Sequence, residues 1–130
     1  MEKYRLEASS KSLKGRVICG AGSGYTASNV FSLEQVLDFL DEINLDFEER
    51  KIKTIPCFVK EGVIVGRAST SKYRAKTYDF EFSWSPRIGP IKSIDFYKSL
   101  VEYAKQLGDK LGQVRVYVEF GGKTTIFKSK

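Results

Sequence analysis

The chain has 130 residues, 42% hydrophobic and 29% charged, with a net charge of +6. That length and balance fit one globular domain, able to bury about two-thirds of its unfolded surface, and no run approaches the roughly 18 apolar residues of a membrane span. Histidine is absent, which removes Ser-His and Cys-His nucleophile pairs, the HExxH zinc site and other histidine-based metal centres.

Residues 2–9 (EKYRLEAS) alternate, with Tyr4, Leu6 and Ala8 on one face, and predict a strand. Charges interrupt this segment, so no secretory leader is expected and the expected location is cytoplasmic. Residues 15–20 (GRVICG) predict a second strand and an opening hairpin. Cys19 here and Cys57 later lie in apolar segments and read as buried thiols in a reducing compartment. A structural zinc site is not expected from two isolated cysteines.

Residues 20–29 (GAGSGYTASN) form a loop of small residues. Gly20, Gly22 and Gly24 follow a strand and precede a helix, as phosphate-cradling glycines do. The motif is incomplete: Tyr25 stands where a dinucleotide fingerprint needs glycine, and no Gly-Lys-Ser/Thr follows. What remains is a set of hydrogen-bonding groups, Ser23, Tyr25, Thr26, Ser28 and Asn29, beside a helix N-terminus.

The helix is predicted over 33–48. Ser32 and Gln35 make a capping box, and Phe31 with Val36 a hydrophobic staple. Leu33, Val36, Leu37, Leu40, Ile43 and Phe47 supply its apolar stripe. Residues 34–49 hold seven carboxylates and no Lys or Arg, leaving nine acidic against twenty-two basic residues elsewhere, a net of +13. The molecule is an acidic helix on a basic body. Asp38, Asp41 and Glu42 on that helix are a candidate protein-binding surface.

Residues 55–59 and 63–65 predict two short strands around a turn at Glu61-Gly62. Both are apolar on both faces, which suits central strands or an association surface. Residues 70–84 predict a long strand with Tyr78, Phe80, Phe82 and Trp84 on one face and Asp79, Glu81 and Ser83 on the other. Lys72, Arg74 and Lys76 share the aromatic face's parity, so either a bulge falls near Thr77 or the first half projects as a basic arm. That segment, Lys72, Tyr73, Arg74 and Lys76, interleaves charge with aromatics as a phosphate- and base-contacting surface does.

A turn with two prolines carries Arg87 and leads through Lys92 to Ser93, the predicted cap of a second helix over 94–110. Residues 113–128 predict a final hairpin turning at Gly121-Gly122, with Val118 opposite Thr125 and Val116 opposite Phe127. The predicted fold is α+β: an antiparallel sheet of about seven strands and two helices, in the order ββαβββαββ. Capped helix plus glycine-turned hairpin occurs twice, from Ser32 to Gly62 and from Ser93 to Gly122, which suggests a pseudo-repeat with both loops at one end.

The function expected from these features is non-enzymatic. An anionic ligand, nucleic acid or nucleotide-like, would be held by the basic surface and the helix N-terminal loops, with no cofactor and no metal. An alternative is a small phage or mobile-element inhibitor that docks on a host protein through the acidic helix or the apolar hairpin. A third is a metal-dependent nuclease using Asp79 and Glu81, although Ser83 stands where its lysine belongs. The apolar hairpin also favours a homodimer or larger assembly.

Overall fold

The computed structural model describes residues 3–20 and 30–129. The elements are β1 (Lys14–Gly20), α1 (Leu33–Glu49), β2 (Cys57–Ala68), β3 (Ser71–Ser83), α2 (Ser93–Lys110), β4 (Arg115–Phe120) and β5 (Lys123–Lys128). A 3-10 turn, Pro86–Ile88, precedes α2. The α+β class, the two helices and the antiparallel sheet stand as expected, but five strands are present where about seven were predicted.

Two corrections account for the count. Residues 4–12 form no strand, and Tyr4 and Leu6 are exposed. The sheet order is β2-β3-β1-β4-β5, so both edges of β1 are occupied and the segment before it has no ladder to join. The second correction is at Glu61-Gly62, which lies within β2, opposite Tyr78 and Thr77. β3 is long enough to pair with β2 from Cys57 to Ala68, so the chain reverses at Ser69, whose φ is +55°.

Every neighbouring pair in the sheet is antiparallel. Strands β1 and β2 therefore run parallel on either side of β3, and β3 and β4 run parallel on either side of β1. Each helix crosses over one strand, which makes the split β-α-β-β-α-β arrangement of ferredoxin-like folds, with β5 added as an outer hairpin strand. The two similar halves are β1-α1-β2 and β3-α2-β4. The repeat expected from the sequence, helix plus hairpin, is out of phase with them.

Both helices lie on one face. α1 starts with the predicted capping box: the Gln35 amide donates to Ser32 Oγ at 3.2 Å, and the Ser32 amide to Gln35 Oε1 at 2.9 Å. It buries Val36, Leu40, Ile43 and Phe47. Helix α2 buries Phe96, Leu100, Tyr103 and Leu107, among others. Its N-cap is Lys92, without a side-chain bond, rather than Ser93. The sheet meets them with Val17, Cys19, Tyr78, Phe80, Phe82, Val116 and Val118. Val118 opposes Thr125 and Val116 opposes Phe127, as the final hairpin's turn predicts.

The helices are antiparallel. Lys110 reaches Glu42 at 2.7 Å, Gln106 reaches Asp46 at 2.9 Å, and Arg50 reaches Glu102 at 2.8 Å. Gln106 and Arg50 together hold the Asp46 carboxyl below its ordinary range. Because α1 and α2 run oppositely, their N-termini lie at opposite ends of the sheet. The anticipated rim of two helix N-termini at one end does not form.

Candidate functional site

With both helices on one side, the other face of the sheet is open, and side chains at alternate positions project onto it. Strand pairing arranges them in two rows across all five strands. The first row is Phe58, Glu81, Arg16, Glu119 and Thr124, in the order β2 to β5. The second is Lys60, Asp79, Ile18, Tyr117 and Ile126.

The first row is charged at its centre. Arg16 donates from Nε and Nη2 to the two Asp79 oxygens at 3.1 and 2.8 Å, and from Nη1 to Glu119 Oε2 at 2.9 Å. Lys60 Nζ lies 3.1 Å from Glu81 Oε1. Three carboxylates thus face two cations, so the centre carries one excess negative charge. Bonding to Asp79 foremost, then the nearby carboxylates, raises the guanidinium pKa further and keeps Arg16 charged. The second row is apolar on the β1-β4-β5 side, where Tyr117 and Ile126 are exposed beside Ile18.

A groove of about 540 Å³ runs along the end of the charged row. Lys14, Arg16, Glu81, Glu119, Phe120 and Lys123 are among the residues that line it. Its volume suits a ligand of nucleoside size, and its lining includes both carboxylates and ammonium groups.

The residues chosen from sequence lie elsewhere. Ser23, Tyr25, Thr26, Ser28 and Asn29 fall outside the described residues. Lys72, Tyr73, Arg74 and Lys76 lie on the outer half of β3, where the strand runs beyond the helices. Of the two alternatives there, the projecting arm is the one that forms, with no break in the ladder at Thr77. Arg87 sits in the 3-10 turn, 3.7 Å from Glu7, and Lys92 at the start of α2. Asp38, Asp41 and Glu42 lie on the helical face of the molecule, away from the groove. The structure does not bring these groups into one site. Asp79 and Glu81, weighed as nuclease carboxylates, do reach the open face, but bonded to Arg16 and Lys60. Sequence reasoning missed Arg16 and Glu119, whose partners are 63 and 103 residues distant in the chain.

The sequence matches no protein-family model and no curated protein sequence. Two solved structures share its fold along its whole length. A phage SAM lyase in complex with S-methyl-5′-thioadenosine aligns with 99% of this chain and 97% of its own, at a TM-score of 0.64 and 14% identity. A phage SAM lyase in the apo state aligns over 98% of each chain, at a TM-score of 0.65 and 14% identity. At that identity the likeness establishes the fold. It also overturns the expectation of a non-enzymatic binding protein, and with it the inhibitor alternative: the fold is one in which a lyase works. The expected ligand class stands only in its coarse form, since one of these neighbours holds a nucleoside-like molecule. Among the described residues no helix is long and apolar enough to cross a membrane.

Proposed function

We propose that this chain is a lyase that cleaves S-adenosylmethionine, with the open sheet face as its active site. The observation that carries the reading is the end-to-end match to phage SAM lyase, one example of which holds S-methyl-5′-thioadenosine. That molecule is S-adenosylmethionine without its aminobutyrate chain, so the bond at issue joins sulfur to that chain.

The chemistry asks little of the protein. The substrate's own carboxylate attacks the carbon bonded to the sulfonium. A C–O bond forms and closes a lactone, and the C–S electron pair leaves on sulfur as a neutral thioether. No proton moves, so no histidine and no general base is required. The protein has to fold the substrate so that nucleophile and carbon meet, and to strip water from two charges that cancel in the transition state.

The open face supplies suitable groups. Glu81 and Glu119 take the substrate ammonium and face the sulfonium, leaving the carboxylate unbound and nucleophilic. Arg16 positions Glu119, and Lys60 positions Glu81. Ile18, Tyr117 and Ile126 offer the adenine an apolar platform.

The test is incubation of the purified protein with S-adenosylmethionine and chromatography with mass detection. S-methyl-5′-thioadenosine and homoserine lactone are expected in equal amounts. Glu119→Gln and Glu81→Gln are each expected to lower kcat/KM by about tenfold or more, a loss of about 1.4 kcal/mol in transition-state binding. Consumption no faster than in buffer alone would refute the proposal.

A further inference from the structure

A carboxylate and an aromatic ring on the open side of the sheet share one cation. Phe58 on β2 lies directly opposite Glu81 on β3, and Lys60, two residues on, projects onto the same face. Lys60 Nζ lies 3.1 Å from Glu81 Oε1 and 5.3 Å from the centre of the Phe58 ring. Arg16 already holds Asp79, the residue directly opposite Lys60, so the ammonium turns diagonally to Glu81.

Packing does not account for the ring. Phe58 is 60% exposed, whereas Phe80 and Phe82 on the other face of the sheet are fully buried. An aromatic face beside a carboxylate is an arrangement that recognises alkylated cations. The ring quadrupole attracts the charge, the ring surface takes the alkyl groups, and the carboxylate supplies the counter-charge.

The same three residue types meet again at Lys110, Glu42 and Phe39, in a different setting. Lys110 Nζ lies 2.7 Å from Glu42 and 5.6 Å from the Phe39 ring, and its side chain, 27% exposed, joins α2 to α1. The Lys60 side chain is 51% exposed and joins two strands that the β2–β3 ladder already holds. An exposed ion pair adds little to folding, so Lys60 can leave at small cost to the fold. Its departure bares Phe58 and Glu81 together.

We infer that Phe58 and Glu81 form a site for an alkylated sulfonium cation, and that Lys60 is its resident stand-in, displaced when the ligand binds. The lysine ammonium is compact and strongly hydrated, so returning to water compensates it well. The sulfonium carries its charge behind alkyl groups and gains the ring contact that the ammonium gives up. Lys60 holds Glu81 in place while the site is empty and makes the site selective, because any entering cation has to outcompete it. On the lyase reading this cation is the substrate sulfonium, with Glu119 left for the substrate ammonium. The site itself does not rest on that reading.

Trimethylsulfonium chloride, titrated into the full-length protein against sodium chloride at equal ionic strength, tests it by nuclear magnetic resonance. The Phe58 ring and Glu81 side-chain signals should shift to saturation, and the Lys60 ε-methylene signal should move towards that of a free lysine. Phe58→Leu is expected to weaken binding about threefold or more, the share of a cation–π contact. Lys60→Met is expected to tighten it about threefold or more, because the competing cation is gone. Circular dichroism checks that each variant is folded, and Lys60→Gln replaces Lys60→Met if that variant is not. Shifts no larger than those in sodium chloride, in both the wild type and the Lys60 variant, overturn the inference. So does a folded Lys60 variant that binds no tighter than wild type, or a folded Phe58→Leu that binds as tightly. Cleavage of S-adenosylmethionine by a protein that fails this titration would sink the inference alone. Binding of the probe without cleavage would support it and sink only the lyase reading.

Discussion

Arg16 grips Asp79 diagonally across the β1–β3 ladder, although Glu81 is its direct cross-strand partner. The diagonal choice uses the planar guanidinium in a two-point bond to one carboxylate and leaves the remaining Nη1 for Glu119 on the opposite strand. Glu81 turns to Lys60 instead. One side chain thereby sets the polar pattern of three strands. Its Cα lies on the middle strand of the sheet, and its side chain is 42% exposed.

Replacing it should therefore show in stability and in activity. Arg16→Met leaves three neighbouring carboxylates with one cation, Lys60. Exposure limits the loss to about 1 kcal/mol, or about 3–5 °C in Tm for a domain of this size. The loss should shrink in high salt, because salt screens the repulsion left behind. Arg16→Lys keeps the charge but cannot make the two-point bond. Its Tm should lie nearer the wild type, while on the lyase reading its kcat/KM should still fall, since the carboxylates lose their alignment. Thermal melts at two salt concentrations, alongside turnover, check this. Equal Tm and turnover in all three proteins would contradict it.

Alkaline pH should weaken the fold through its buried acids. Burial pushes the Cys19 thiol from 9.0 up to about 12. Burial, then the Asp79 and Glu81 charges, does the same to Cys57. Burial raises the Tyr103 hydroxyl from 10.0 to about 12. Above pH 9 the unfolded chain loses these protons while the folded chain keeps them, so the unfolded state gains and stability falls as pH rises towards about 12. Below pH 9 these groups contribute no slope. Each adds at most about 1.4 kcal/mol per pH unit. Urea midpoints measured upward from neutral pH should fall beyond pH 9, and Cys19→Ala/Cys57→Ala should flatten that fall. A midpoint constant through this range would contradict the burial of the thiols.

Local features were legible in the sequence. The capping box at Ser32 and Gln35, the α1 stripe and the Gly121-Gly122 hairpin rest on contacts a few residues apart, and propensity and periodicity report such contacts directly. The alternation of residues 70–84 likewise marked Thr77 as the point of change, while a bulge and a projecting arm both fitted it until the unbroken β2–β3 ladder decided for the arm. What failed was non-local. The alternating segment 2–9 has strand chemistry, but β3 and β4 already flank β1. The Glu61-Gly62 pair has turn chemistry, but the long β3 ladder carries β2 straight through it. The open-face site depends wholly on register: Asp79 and Glu81 were visible as a pair, while Arg16 and Glu119 join them only when three strands align. The absence of histidine argued against catalysis because most enzymes move protons. On the lyase reading the substrate supplies both nucleophile and leaving group, and that rule does not apply.

Gly108 decides how closely α2 approaches the sheet. A Cβ there would lie 2.4 Å from Val116 Cγ2. Two effects oppose each other in Gly108→Ala. Alanine is better in a helix interior by about 1 kcal/mol. Overpacking a filled core costs about 1–3 kcal/mol. Val116 is 5% exposed, and its β-branched side chain cannot swing away easily, so overpacking should prevail. The expected net loss is up to about 2 kcal/mol. A second substitution separates the effects. Val116→Ala alone opens a cavity and destabilises the protein. Combined with Gly108→Ala it provides room for the new methyl, so the double variant should be more stable than the two single losses predict by addition. Urea unfolding of the four proteins measures that coupling. Additive losses would mean that α2 moves off the sheet instead, and that the close approach at Gly108 is not a fixed feature of the core.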